Sequence, residues 1–156
     1  LQLTQQEFSP RESMAGVREM LASVAEPKSI VLDYQEEWPP NVRVTGDPGR
    51  IEQVLTNLIG NAIKFSPNNS TVTVHSSQEA GGWRVEIVDQ GIGIPAEDVP
   101  RLFERFYRAG NASEAQIQGT GLGLYVCKAI IEGHGGEIGL ESVEGEGTRV
   151  WFTLPI

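Results

Sequence analysis

Two pairs of alternating segments fix most of what this chain can become. TVTVHSSQ (71–78) and WRVEIVD (83–89) carry apolar residues at every second position and flank a Gly81-Gly82 turn. EIGLES (137–142) and TRVWFTLPI (148–156) are joined by VEGEG. Alternation is the period of a strand with one buried face. Links this short join antiparallel neighbours, since a parallel return needs about a dozen residues or more. The chain must therefore build a sheet with one apolar face, and other segments must cover that face.

The cover is helical. Ser9-Pro10 reads as an N-cap with Pro at the first helical position. Met14, Val17, Met20, Leu21 and Val24 supply the apolar side of that helix. Asp47-Pro48 repeats the signal and opens RIEQVLTNLIGNAIKF (50–65), where Ile51, Val54, Leu55, Leu58 and Ala62 recur at helical spacing. Ser66-Pro67-Asn68-Asn69 stops it. A third helix is expected over 121–132, with Leu124, Val126, Cys127, Ile130 and Ile131 apolar, ended by Gly133, Gly135 and Gly136. Residues 1–8 read as an edge strand. SIVLDYQ (29–35) and NVRVTG (41–46) read as strands around a WPPN loop. Residues 96–104 suit a short helix, and 109–119 a mobile loop of the length that tends to be functional. Strands outnumber helices and most are joined as hairpins. The expected fold is α+β: a two-layer sandwich with a mixed, mostly antiparallel sheet and helices on one face.

The 156 residues suffice for one domain, 1–156, with one core. Because the sequence opens on Leu1, an excised piece of a longer protein is expected. A net charge of −9 argues against nucleic acid and against direct membrane contact through anionic lipid. The single cysteine, Cys127, excludes an internal disulfide, fits a reducing compartment and reads as a buried structural thiol. No segment has transmembrane length or the pattern of a signal peptide.

The chemistry starts with an anomaly in the most apolar helix. Asn57, Asn61 and Lys64 fall at i, i+4 and i+7, on a polar stripe beside the apolar face. Amides and an ammonium at the edge of a core need partners, which a ligand with phosphates and a metal would supply. Three glycine sets follow. In DQGIGI (89–94), Asp89 ends a strand and can accept from an exocyclic amine, while Gly91 and Gly93 let a flat base approach the backbone. GTGLGL (119–124) opens a helix, where successive N–H groups bind anions. GEGT (145–148) alone reads as a hairpin turn. A dinucleotide fingerprint is disfavoured because no βαβ unit follows Asp89, and a P-loop because no GK[ST] follows the second set.

In RLFERFYR (101–108), Phe103 and Phe106 are expected to pack partly, and Arg105 or Arg108 to reach a phosphoryl group. The alternatives there are a surface for an acidic partner and a solvated helix face. His75 and His134 lack metal-ligand spacing and a neighbouring nucleophile, so both read as structural.

NLIGNAIKF, DQGIGI, FERFYR, GTGLGL and GEGT occur in the order of the N, G1, F, G2 and G3 boxes of the ATP-binding catalytic domain of bacterial sensor histidine kinases. The chain resembles that family from Asp47 to Ile156. The resemblance implies the sandwich shared with gyrase (the GHKL or Bergerat fold) and a cytoplasmic domain whose parent could carry a membrane anchor. It implies MgATP as cofactor. Asn61 and Asn57 would hold Mg²⁺, Lys64 would contact phosphate, and Asp89 would bind the adenine amine. Gly91 and Gly93 would give the base room and Ile94 would line it; Thr148 and Phe65, which stands where many members have Tyr, would also belong to the nucleotide site. Gly119, Thr120, Gly121, Leu122, Gly123 and Leu124 would serve the phosphates, under a lid over 105–119. Lys64, Arg105 and Arg108 would neutralise charge during transfer.

Two departures refine the expectation. ATPases of this superfamily resemble one another in placing a Glu one turn before the metal-binding Asn as the base for water; here that position is Asn57, so transfer is favoured over hydrolysis. The family's phosphoacceptor motif is absent. The implied activity is therefore transfer of the γ-phosphoryl to a histidine on a dimerisation domain of a homodimeric parent, with a response regulator downstream. The alternatives are a protein-serine kinase acting on a sigma-factor antagonist, and a nucleotide-binding domain without transfer.

Overall fold

A computed structural model describes residues 2–39, 41–105, 107, 109–110 and 123–156. In chain order these form β1 (Gln6–Phe8), α1 (Pro10–Ala25), β2 (Val31–Glu37), β3 (Val44–Gly46), α2 (Pro48–Phe65), β4 (Thr71–Glu79), β5 (Gly82–Val88), α3 (Gly123–Gly133), β6 (Glu137–Val143) and β7 (Gly147–Pro155). Short 3-10 turns lie at Glu26–Lys28 and Val99–Arg101.

The alternating segments pair as their periods demand. β4 with β5 and β6 with β7 are antiparallel hairpins, and β5 pairs antiparallel with β7. β2 joins β4 in parallel, so the sheet runs β2-β4-β5-β7-β6 and is mixed but mostly antiparallel. The first hairpin turns on Ala80 and Gly81, both at positive φ, the primed geometry that matches strand twist.

One sheet face is apolar, with Val72, Val74, Trp83, Val85, Ile87, Val150, Phe152 and Leu154 all buried. Trp83 meets Phe152 edge-on at 5.7 Å, stacks on Trp38 at 6.1 Å and donates its indole N–H to buried Ser76 at 2.8 Å. α2 covers this face between α1 and α3. The opposite face carries charge. Arg84 and Arg149 share Glu86, and Arg84 stands over Trp151 at 4.9 Å.

Several sequence expectations shift. The strand expected over 1–8 shortens to Gln6–Phe8 and pairs with β3, outside the main sheet. In α1, Met14, Val17, Leu21 and Ala25 form the buried stripe, while Met20 and Val24 are 50% and 47% exposed. Each of those two precedes a buried residue by one position, about 100° around the helix. The helix expected over 96–104 is only a 3-10 turn, because Pro100 cannot donate to a helical ladder. β2 begins at Val31 because Ser29 is left-handed, with φ 53°. All of the loop expected over 109–119 except Ala109 and Gly110 lies outside the described residues. No described helix is long and apolar enough to cross a membrane.

Candidate functional site

The site is built on α2. Asp47 caps its start by accepting from the Arg50 amide at 3.2 Å, and seven apolar residues from Ile51 to Ile63 fix it over the sheet. The polar stripe then falls where periodicity puts it: Asn57 and Asn61 are half-buried and Lys64 is exposed. α3 runs antiparallel beside α2. Asn57 donates to the Cys127 sulfur at 3.8 Å, and a Cβ at Gly123 would lie 4.0 Å from the Asn61 amide nitrogen. Burial pushes the Cys127 thiol up to about 12, so it stays neutral and serves as a weak acceptor. Asn61 therefore faces the start of α3 at Gly123, and Asn57 faces its next turn at Cys127.

At the C-terminal end of α2, three segments lock together. The Phe65 carbonyl accepts from the Ile92 amide at 3.2 Å, and a Cβ at Gly91 would run into that same carbonyl. Gly93 has φ +67°, and a Cβ there would meet the Val143 carbonyl. Gly145 donates to the Ile92 carbonyl at 2.7 Å. Glycine is required at 91 and 93 because backbone from α2 and from the β6–β7 turn presses against the loop.

Asp89 sits at the centre of this corner. Its amide donates to the Thr148 carbonyl at 2.9 Å. Its Oδ1 accepts from the Gly91 amide at 2.8 Å and from the Thr148 amide at 3.2 Å. Burial raises the pKa of this carboxyl, and the two backbone bonds oppose the rise. With Oδ1 committed to backbone, Oδ2 remains to accept from a ligand. Thr148 is held by a 2.8 Å contact between its hydroxyl and that of Ser142. The GEGT segment is more than the turn its composition suggests: a Cβ at Gly147 would run into the Asp89 carbonyl.

The arginine-rich segment borders α3. Phe103 is half-buried with the Lys128 ammonium 5.7 Å from its ring, and Arg105 is exposed, 5.9 Å from the Tyr125 ring. Tyr107 donates to the Asp98 carboxylate, which also accepts from the Gly110 amide at 3.1 Å. Leu124 packs against the core, and Ile94 is half-buried. Phe106, Arg108, Gly119, Thr120, Gly121 and Leu122 lie outside the described residues.

Both described histidines have structural partners. His75 meets Glu37 at 3.0 Å. His134 Nε2 accepts from the Asp47 amide at 3.0 Å, which leaves its proton on Nδ1 to donate to the Ile130 carbonyl at 2.7 Å. Among the described residues, no three His, Cys, Asp or Glu side chains cluster. The donors on offer to a cation are the Asn57 and Asn61 amides, whose oxygens suit a hard ion such as Mg²⁺. Sequence reasoning missed Lys28, which reaches the end of α2, and the role of Gly147. Lys28 had no local signal, since its partners are about 35 to 38 residues away in sequence.

Among the described residues, a five-stranded mixed sheet lies under three helices, with an acid and a glycine loop at one corner of this two-layer sandwich. The chain belongs to the histidine kinase-, DNA gyrase B-, and HSP90-like ATPase family, whose pattern matches residues 46–156. Within it, the chain is 44% identical to the sensor histidine kinase WalK of Bacillus subtilis (strain 168) over 111 residues, 70% of this chain. It is 34% identical to the sensor histidine kinase RcsC of Escherichia coli (strain K12) over all 156 residues. It spans 18% and 16% of the length of those two proteins. The solved catalytic domain of the histidine kinase ThkA, in a nucleotide-free form, superposes with a TM-score of 0.84 at 31% identity, covering 97% of this chain and 95% of that one. ThkA has also been solved in complex with a response regulator, TrrA.

Proposed function

We propose that this chain is the catalytic, ATP-binding part of a two-component sensor kinase, and that it transfers the γ-phosphoryl of MgATP to a histidine on a separate helical dimerisation domain. The observation that carries the reading is the corner around Asp89. A half-buried carboxylate with one oxygen satisfied by backbone and the other open suits an amine donor such as the adenine N6. Gly91 and Gly93 keep side chains out of that corner. The similarity to WalK, RcsC and ThkA supports the kinase class.

Asn61 and Asn57 would hold Mg²⁺, which when bound would offset phosphate charge. Lys64 would contact phosphate, helped by Arg105 and Arg108, and Gly119 to Leu124 would give backbone N–H groups to the phosphates. In the transfer, the bond from the γ-phosphorus to the bridging oxygen breaks, a bond to an imidazole nitrogen forms, and ADP leaves. This chemistry asks the protein mainly for positioning and neutralisation. Asn57 supports transfer over hydrolysis, since a carboxamide, unlike a carboxylate, cannot take a proton from water. A response regulator would then receive the phosphoryl group.

The test is to supply the chain with γ-labelled MgATP and the histidine-bearing domain of its own parent. Acid-labile, base-stable label should appear on that domain. Asn61→Ala should abolish the labelling. Label on a serine partner instead, or no label with intact MgATP binding, would overturn the transfer assignment.

A further inference from the structure

The end of α2 is held by a residue that no nucleotide motif contains. A helix leaves its last four carbonyls without intrahelical donors. Here each has a protein donor. The Ala62 carbonyl accepts from the Ser66 hydroxyl at 2.6 Å, and the Phe65 carbonyl from the Ile92 amide. The Ile63 and Lys64 carbonyls accept from the Lys28 ammonium at 2.7 and 3.2 Å. The same ammonium donates to the Ser66 carbonyl at 2.6 Å. A cation at a helix C-terminus is also favoured by the helix dipole.

Lys28 clamps from both of its ends. Its own carbonyl accepts from the Asn69 amide at 2.9 Å, so the segment leaving α2 is folded back on it. Its three acceptors span residues 63–66, the turn that carries Lys64 and Phe65 and begins two residues after Asn61. The base corner touches this turn only through the Phe65 carbonyl and Ile92, while the Asp89 carboxylate takes its bonds from the Gly91 and Thr148 amides.

We propose that Lys28 is a positioning residue for the phosphate end of the nucleotide site. It sets the last turn of α2, and through it Asn61 and Lys64, without touching the ligand. This rests on the nucleotide reading above. Phosphate contacts should depend on Lys28 far more than base contacts do, because the Asp89 corner keeps its own bonds.

The experiment titrates the folded chain with MgATP and with adenosine, well below the unfolding midpoint of each variant. Lys28→Met keeps the aliphatic stem and removes the donor. It should weaken MgATP binding about tenfold, equivalent to about 1.4 kcal/mol, and change adenosine binding by less than about twofold. Asp47→Ala uncaps the other end of α2 and controls for lost helix stability; its MgATP affinity should stay within about twofold of the parent chain. If Lys28→Met fails to fold, Lys28→Gln, whose amide can serve two of the three carbonyls, should show a smaller loss confined to MgATP. Unchanged MgATP affinity in the Lys28 variant overturns the proposal. So does an equal loss for both ligands, or an equal loss in Asp47→Ala. In each of these cases a parent chain that binds MgATP leaves the nucleotide reading standing. A parent chain that does not bind MgATP overturns both.

Discussion

Asp89 carries a conflict between stability and recognition. Burial raises the pKa of its carboxyl, so folding makes ionisation there costlier, while the site needs the ionised form. A raised folded pKa means the native state binds more protons than the unfolded chain between the two values. Stability therefore falls as pH rises through that window, and the cost is fully present above the folded value. Asp89→Asn removes the charge yet keeps an oxygen for the Gly91 and Thr148 amides. Its NH₂ then opposes the ligand's amine, donor against donor. The variant should unfold at or above the parent's temperature at neutral pH, an advantage that shrinks as the pH is lowered, and it should lose ATP affinity. Thermal melts across pH with parallel ATP titration check both. Gly93 should be equally exacting. With φ +67° and a carbonyl where its Cβ would go, Gly93→Ala should destabilise by about 1–3 kcal/mol, read by denaturant unfolding.

At the scale of elements, α2 shows which parts of a site sequence can reveal. Asp47-Pro48 was legible because capping is local, and the stripe of Asn57, Asn61 and Lys64 was legible because helical spacing is local. The Asp89 and glycine pattern pointed to a base site, but the pressure of Phe65 and Val143 on those glycines is tertiary. Lys28 was invisible for the same reason. Met20 and Val24 were misjudged because apolar residues one position off a stripe look like part of it. The N-cap also links stability to pH. The Asp47 carboxyl is held below its usual range, first by the Thr4 amide and then by that of Arg50. A depressed folded pKa gives stability that is present above the unfolded value and lost as pH falls through the folded one. Asp47→Ala should cost about 1 kcal/mol at neutral pH, and the difference from the parent should shrink in acid. Chemical denaturation at both pH values tests this.

For the molecule as a whole, the hairpins and the helical cover followed from periodicity, but the order β2-β4-β5-β7-β6 did not. Nothing local says that β2 will lie parallel to β4 at the sheet edge. Nor does composition show that Trp83 will be the centre of the core, packed between Trp38 and Phe152. Trp83→Ala should cost about 3–5 kcal/mol, since it opens a large cavity and strips Ser76 of its donor. Against a typical total of about 5–15 kcal/mol this is a large share of the stability, and the loss should appear as a lower denaturation midpoint.

Among the described residues, the place of β2 at the end of the sheet also leaves one of its backbone edges unpaired. A free edge invites another strand to add to it. Here the strand carries Asp33, Glu36 and Glu37, so two copies meeting edge to edge would bring like charges together. The acidity of this strand thus guards against self-association, and salt or neutralising substitutions along it would lower that guard before they altered the fold.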